Sequence, residues 1–91
     1  MNRIIETLKK LNPEARLFDG LDDALVGIAE RSGQPALAVY DRQRCIELLA
    51  DHQECDLLDA EEFFDLNVAG VWVGEHTPIV LVRRESLDDL E

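Results

Sequence analysis

A chain of 91 residues has the length of one domain and little room for a deep pocket. Twenty acids against nine bases give a net charge of −11, which opposes direct contact with nucleic acid or an anionic membrane and favours basic surfaces. At 46% hydrophobic and 32% charged it is globular rather than disordered, and no apolar run approaches the ~20 residues of a membrane span.

The first ten residues, MNRIIETLKK, lack the continuous apolar core of a signal peptide. The expectation is a cytoplasmic protein whose Cys45 and Cys55 stay reduced. Apolar residues at positions 4, 5, 8 and 11 predict a helix from Ile4 to Leu11. Asn12-Pro13 stops it, because the residue before proline avoids the α region. Ala15 to Phe18 alternates weakly and reads as a short strand. Asp19 then reads as the N-cap of a helix from Leu21 to Arg31. That helix would set Leu21, Ala24, Leu25, Ile28 and Ala29 on one face, and Gly27 inside it costs about 1 kcal/mol relative to Ala. Gly33 and Pro35 are stop signals.

Pro35 to Tyr40, PALAVY, predicts a strand. Asp41 follows at an N-cap position, and the helix Arg42 to His52 turns Cys45, Ile46, Leu48 and Leu49 inward. Cys45 and His52, seven apart, share its apolar side. Asp56 caps the next helix, Leu57 to about Val68, with Asp59 in its first turn. Leu57, Ala60, Phe63, Phe64, Asn67 and Val68 form its inner face. Asn67 reads as a buried amide tying the helix end to a strand. Gly70 ends the helix. Val71-Trp72-Val73 reads as a short strand with Trp72 in the core. Gly74 to Thr77 turns, Pro78 opens a strand from Ile79 to Val82, and the tail from about residue 84 is expected to be loose. Phe63 to Val82 holds two of the three Phe and the only Trp, so the other elements should pack on it. The fold expected is a small single α+β domain over residues 1–91, with a sheet of about three strands and helices mainly on one face.

Candidate chemistry is sparse. Asp19, Asp22, Asp23 and Asp41 are the carboxylates from which a small metal-dependent hydrolase would be built, since such groups at strand ends bind Mg²⁺. Capping and the helix dipole account for them more simply, and no glycine-rich phosphate loop accompanies them. Cys45, His52, Cys55 and His76 do not have a familiar zinc spacing. No metal, cofactor or catalytic residue is therefore expected, although a Cys45–His52 dyad is conceivable. The unusual feature is charge placement: Cys45 to Val82 contains nine acids and no Lys or Arg. On the helix from Leu57, Leu58, Asp59, Glu61, Glu62, Asp65 and Leu66 fall away from the inner face. Two leucines among carboxylates have the form of a contact site with a polar rim.

Several blocks carry a resemblance. They are Asp22-Asp23-Ala24-Leu25 with Gly27, Ala38-Val39-Tyr40-Asp41, Cys45-Ile46-Glu47, and Phe63-Phe64 with Asn67-Val68, Gly70, Trp72-Val73-Gly74 and Thr77-Pro78. Together they resemble a family of small acidic uncharacterised proteins of bacteria and their phages or prophages, over about residues 15 to 82. The resemblance implies a bacterial or phage cytosolic protein and brings no established activity or catalytic residues. The expectation is a non-enzymatic interaction module that binds a protein with a basic surface. In a phage setting it could inhibit a host nucleic-acid-binding defence or regulatory complex. The alternatives are the hydrolase and a homodimeric structural module.

Overall fold

The structure, a computed structural model, describes residues 2–85. Beyond residue 85 the tail expected to be loose lies outside the described residues. The elements are helix α1 (Arg3–Leu11), a single 3₁₀ turn (Asp22–Ala24), strands β1 (Leu25–Ala29) and β2 (Leu37–Asp41), helices α2 (Arg42–Gln53) and α3 (Leu57–Asn67), and strand β3 (Ile79–Leu81). They form a single α+β domain. Its one mixed sheet has the order β1-β2-β3, with β1 antiparallel and β3 parallel to β2.

Helix α1 starts where Asn2 accepts a hydrogen bond from the Ile4 amide (2.9 Å) and stops at Asn12-Pro13. Leu8 is its fully buried residue, and Ile4 and Ile5 pack beside it. Ala15 to Phe18 is not a strand. Its amides are taken singly: Arg16 N–H donates to the His76 carbonyl (3.2 Å), and Phe18 N–H donates to the Tyr40 hydroxyl (3.0 Å). The Phe18 and Tyr40 rings meet at 4.6 Å, which holds this segment on the sheet.

The helix expected from Leu21 to Arg31 is instead one 3₁₀ turn and a strand, and Asp19 does not cap it. The reason lies in the β1–β2 register. Leu25 faces Tyr40, Gly27 faces Val39 and Ile28 faces Ala38, so a bulge takes up one residue at Val26-Gly27. In a regular strand Leu25 and Ile28 would point to opposite faces. The bulge returns both to the face of Ala38 and Tyr40. An i, i+3 apolar spacing, ordinarily a helical sign, is here produced by a bulged strand. Gly27 marks the bulge.

Leu25, Ile28, Ala38, Tyr40 and Val80 supply the covered face of the sheet, and α1 and α2 contribute Leu8, Cys45, Ile46, Leu48 and Leu49 to the same core. The opposite face, with Leu37, Val39, Ile79 and Leu81, is half-open. Helix α3 packs on α2 through a narrow stripe, Ala60 and Phe64, both fully buried. Arg42 clamps the two helices. Its guanidinium lies 5.8 Å from the Phe64 ring centroid and bonds Asp65 at 2.8 Å.

Both cysteines are free thiols, with Cys45 wholly buried and Cys55 half-buried. Burial, aided by the Asp41 carboxylate, pushes the Cys45 thiol up to about 12. Folded protein thus keeps a proton that the unfolded chain releases near 9. The unfolded state then binds fewer protons, so this contribution to stability is complete below pH 9 and is lost as pH climbs toward 12. Urea unfolding at about pH 8 and about pH 11 should show that fall, and Cys45→Ala should flatten it. In the native protein at about pH 8, Cys55 should alkylate and Cys45 should not.

Candidate functional site

Helix α3 begins at Asp56, whose side chain accepts from the Asp59 amide (2.9 Å). This is the cap expected. Asp41, at the corresponding position before α2, makes no such bond. Its Oδ2 pairs with Arg83 Nε at 3.2 Å, and its Oδ1 is buried with no partner among the described residues. The Arg83 side chain draws the carboxylate away from the α2 amides, so Asp41 ties β2 to the residues after β3.

The outer face of α3 carries the residues expected on it. Leu58 is 67% and Leu66 75% exposed, and Asp59 and Glu62 stand beside them in solvent. Glu61 and Asp65 differ. Both reach Arg42, at 3.8 Å and 2.8 Å, and so serve the α2–α3 clamp. Arg42 lies just before the base-free span, and only the helix–helix packing brings it to α3. Of the residues expected on this face, Leu58, Asp59, Glu62 and Leu66 are therefore the exposed ones that do not pair with Arg42.

The inner face is narrower than expected. Leu57 and Phe63 are exposed, and Asn67 is exposed and, among the described residues, its side chain bonds only back to the Phe63 carbonyl (3.3 Å). Ala60 and Phe64 are the buried residues of α3, and this stripe packs it on α2. The chain leaves α3 tightly: a Cβ on Gly70 would stand 2.5 Å from the Asp65 carbonyl oxygen, so only glycine fits this exit.

Val71 to Val73 is not a strand, and Trp72 is not core. Trp72 is 75% exposed. The loop is held at its end rather than by a ladder. Thr77 Oγ1 accepts from Val73 N–H (3.0 Å) and donates to the Gly74 carbonyl (2.6 Å). Gly74 takes φ +103°, open to glycine. These bonds replace strand pairing and turn the indole outward.

Under this loop runs a cleft of about 400 Å³ that sequence reasoning did not find. Its lining comes from four separated stretches, the 16–21 segment, α2, the end of α3 and the 71–78 segment. Leu17, Leu21, Leu49, Phe63, Val71 and Pro78 make it largely apolar. The two Phe residues of α3 thus divide: Phe64 fills the core and Phe63 lines the cleft.

The residues considered for chemistry do not assemble. Asp19, Asp22 and Asp23 are exposed around the 3₁₀ turn, and Asp41 is held by Arg83. Cys45 is in the core, His52 is exposed on α2, and His76 bonds Asn12 through Nδ1 and Glu14 through Nε2. Among the described residues no group of three or more His, Cys, Asp or Glu could hold a metal ion. No described helix is long and apolar enough to cross a membrane. Set against family models, curated proteins and solved structures, the chain matches none.

Proposed function

We propose that this protein is a non-enzymatic interaction module that binds a protein with a basic surface through the outer face of α3. The observation that carries the reading is the exposure of Leu58 and Leu66 beside Asp59 and Glu62 on a fully formed helix. Large apolar side chains rimmed by charge are how contact sites present themselves. Clustered carboxylates repel one another, and a basic partner relieves that repulsion and is steered in by it. A phage-type inhibitor of a nucleic-acid-binding complex fits this chemistry, because such a complex offers a basic surface normally met by phosphates.

The test is capture from bacterial lysate by the wild-type chain and by a Glu62→Lys, Leu66→Ala double variant, at low and high salt. The expected result is salt-sensitive capture of a basic protein by the wild type, weakened about tenfold or more in the variant. Both residues are exposed, so the double variant should keep its stability within about 1 kcal/mol. Equal capture by both proteins would remove the α3 face from the contact.

A further inference from the structure

We infer that the cleft beneath the Val71–Val73 loop is an anchor pocket for one bulky apolar side chain carried on a Lys- or Arg-rich segment of a partner protein. This rests on the α3 face being a contact surface and names what that surface grips. At about 400 Å³ the cleft is large enough for an aromatic or long aliphatic side chain. Its walls include Phe63, 37% exposed, and Val71, 45% exposed. Filling it removes apolar area from water without displacing any bond of the fold. Central apolar pockets of this kind concentrate binding energy.

Charge selects the occupant. Asp19 lines the cleft, and Asp22 and Asp23 follow it in the exposed turn. On α3, Asp59 lies one turn before the lining residue Phe63, and Glu62 is its neighbour in sequence. Arg16 is the cation among the described lining residues, and Lys9 bonds the neighbouring Ala15 carbonyl (2.9 Å). Within the lining Asp19 and Arg16 offset each other. The bias comes from Asp22, Asp23, Asp59 and Glu62, which lie near lining residues in the chain, and from the net charge of −11. These repel an anionic ligand and attract a basic segment. A second copy of this chain would bring the same net charge of −11 and is opposed on that ground. Exposed Trp72 and Leu66 flank lining residues in sequence and add apolar surface beside the lining. A pocket with such a lip suits an amphipathic segment laid along it rather than a free small molecule.

Trp72 is the only Trp, so its emission reports on this site directly. The full chain is titrated with three short helix-forming peptides: Lys-rich with one Phe, Lys-rich with that Phe replaced by Ala, and Glu-rich with the Phe. The Lys/Phe peptide should shift Trp72 emission and bind about tenfold more tightly than the Lys/Ala peptide, and the Glu/Phe peptide should not bind. Val71→Asp should abolish the preference for Phe while leaving salt-sensitive binding of the Lys/Ala peptide. Val73→Asp, also at an exposed position, should do the same, and circular dichroism verifies that each variant is folded. Equal binding of the two Lys-rich peptides, or a Phe preference that survives both variants, would overturn the anchor pocket and leave the α3 reading standing. Failure of both Lys-rich peptides to bind would overturn both. A dimer in sedimentation that Val71→Asp dissociates would assign the cleft to self-association and refute the proposal.

Discussion

Phe64→Ala should destabilise the protein by about 3–5 kcal/mol, as expected for emptying a fully buried aromatic site. A domain of this size has about 5–14 kcal/mol in all. The loss falls where it can least be absorbed. Helix α3 is attached through Ala60 and Phe64 as its two buried residues, and Ala60 is too small to hold it alone. The Phe64 ring also carries the Arg42 guanidinium, so truncation loosens the clamp to Glu61 and Asp65. Urea denaturation should show a lower midpoint, and amide exchange should show α3 losing protection before β2. Trp72→Ala is the control. With Trp72 largely in solvent, it should change stability by no more than about 0.5 kcal/mol. If the two substitutions cost the same, the indole would be packed and α3 would have another support.

Asn12→Ala should cost on the order of 3 kcal/mol, although it removes only a small polar side chain. Asn12 is buried, and each side of its amide is used. Nδ2 donates to the Ala36 carbonyl (2.8 Å) and to His76 Nδ1 (3.1 Å), while Oδ1 accepts from the Glu14 amide (3.1 Å). The residue thereby joins the end of α1 to the chain entering β2 and to the turn before β3. Truncation leaves a buried carbonyl without a donor, and each such orphan costs about 1–3 kcal/mol. Asn12→Asp should not rescue it, because a carboxylate oxygen would face the Ala36 carbonyl. The same network sets the His76 tautomer. Nδ1 is the acceptor, so the proton is on Nε2, 3.3 Å from Glu14 Oε2. Nitrogen-15 spectra of the histidine ring should show that tautomer in the wild type and lose it in Asn12→Ala.

The elements whose signals are local were legible in the sequence. Helix α1 is written in its apolar spacing and the Asn12-Pro13 stop, and α3 in the Asp56 cap, which acts over three residues. β2 and β3 follow from short apolar runs bounded by turn residues. The exposure of Leu58 and Leu66 was readable too, because a helix wheel fixes which residues stand opposite a buried stripe. What failed depended on partners distant in the chain. Leu25 to Ala29 has the spacing of a helix, and only β2 alongside, with the bulge at Gly27, makes it a strand. Asp41 has the position of a cap, and Arg83, 42 residues on, takes its carboxylate instead. Trp72 has the flanks of a core residue, but among the described residues no strand pairs with Val71–Val73, and Thr77 fastens the loop with the indole outside. Asn12 and the cleft gave no local signal at all. Hydrogen bonds between residues 24 and 64 apart, and a pocket lined from four stretches, come into being only when the elements pack. Backbone preference and capping are settled within a turn or two of chain. Burial, charge pairing and cavity shape are settled by what folding brings alongside.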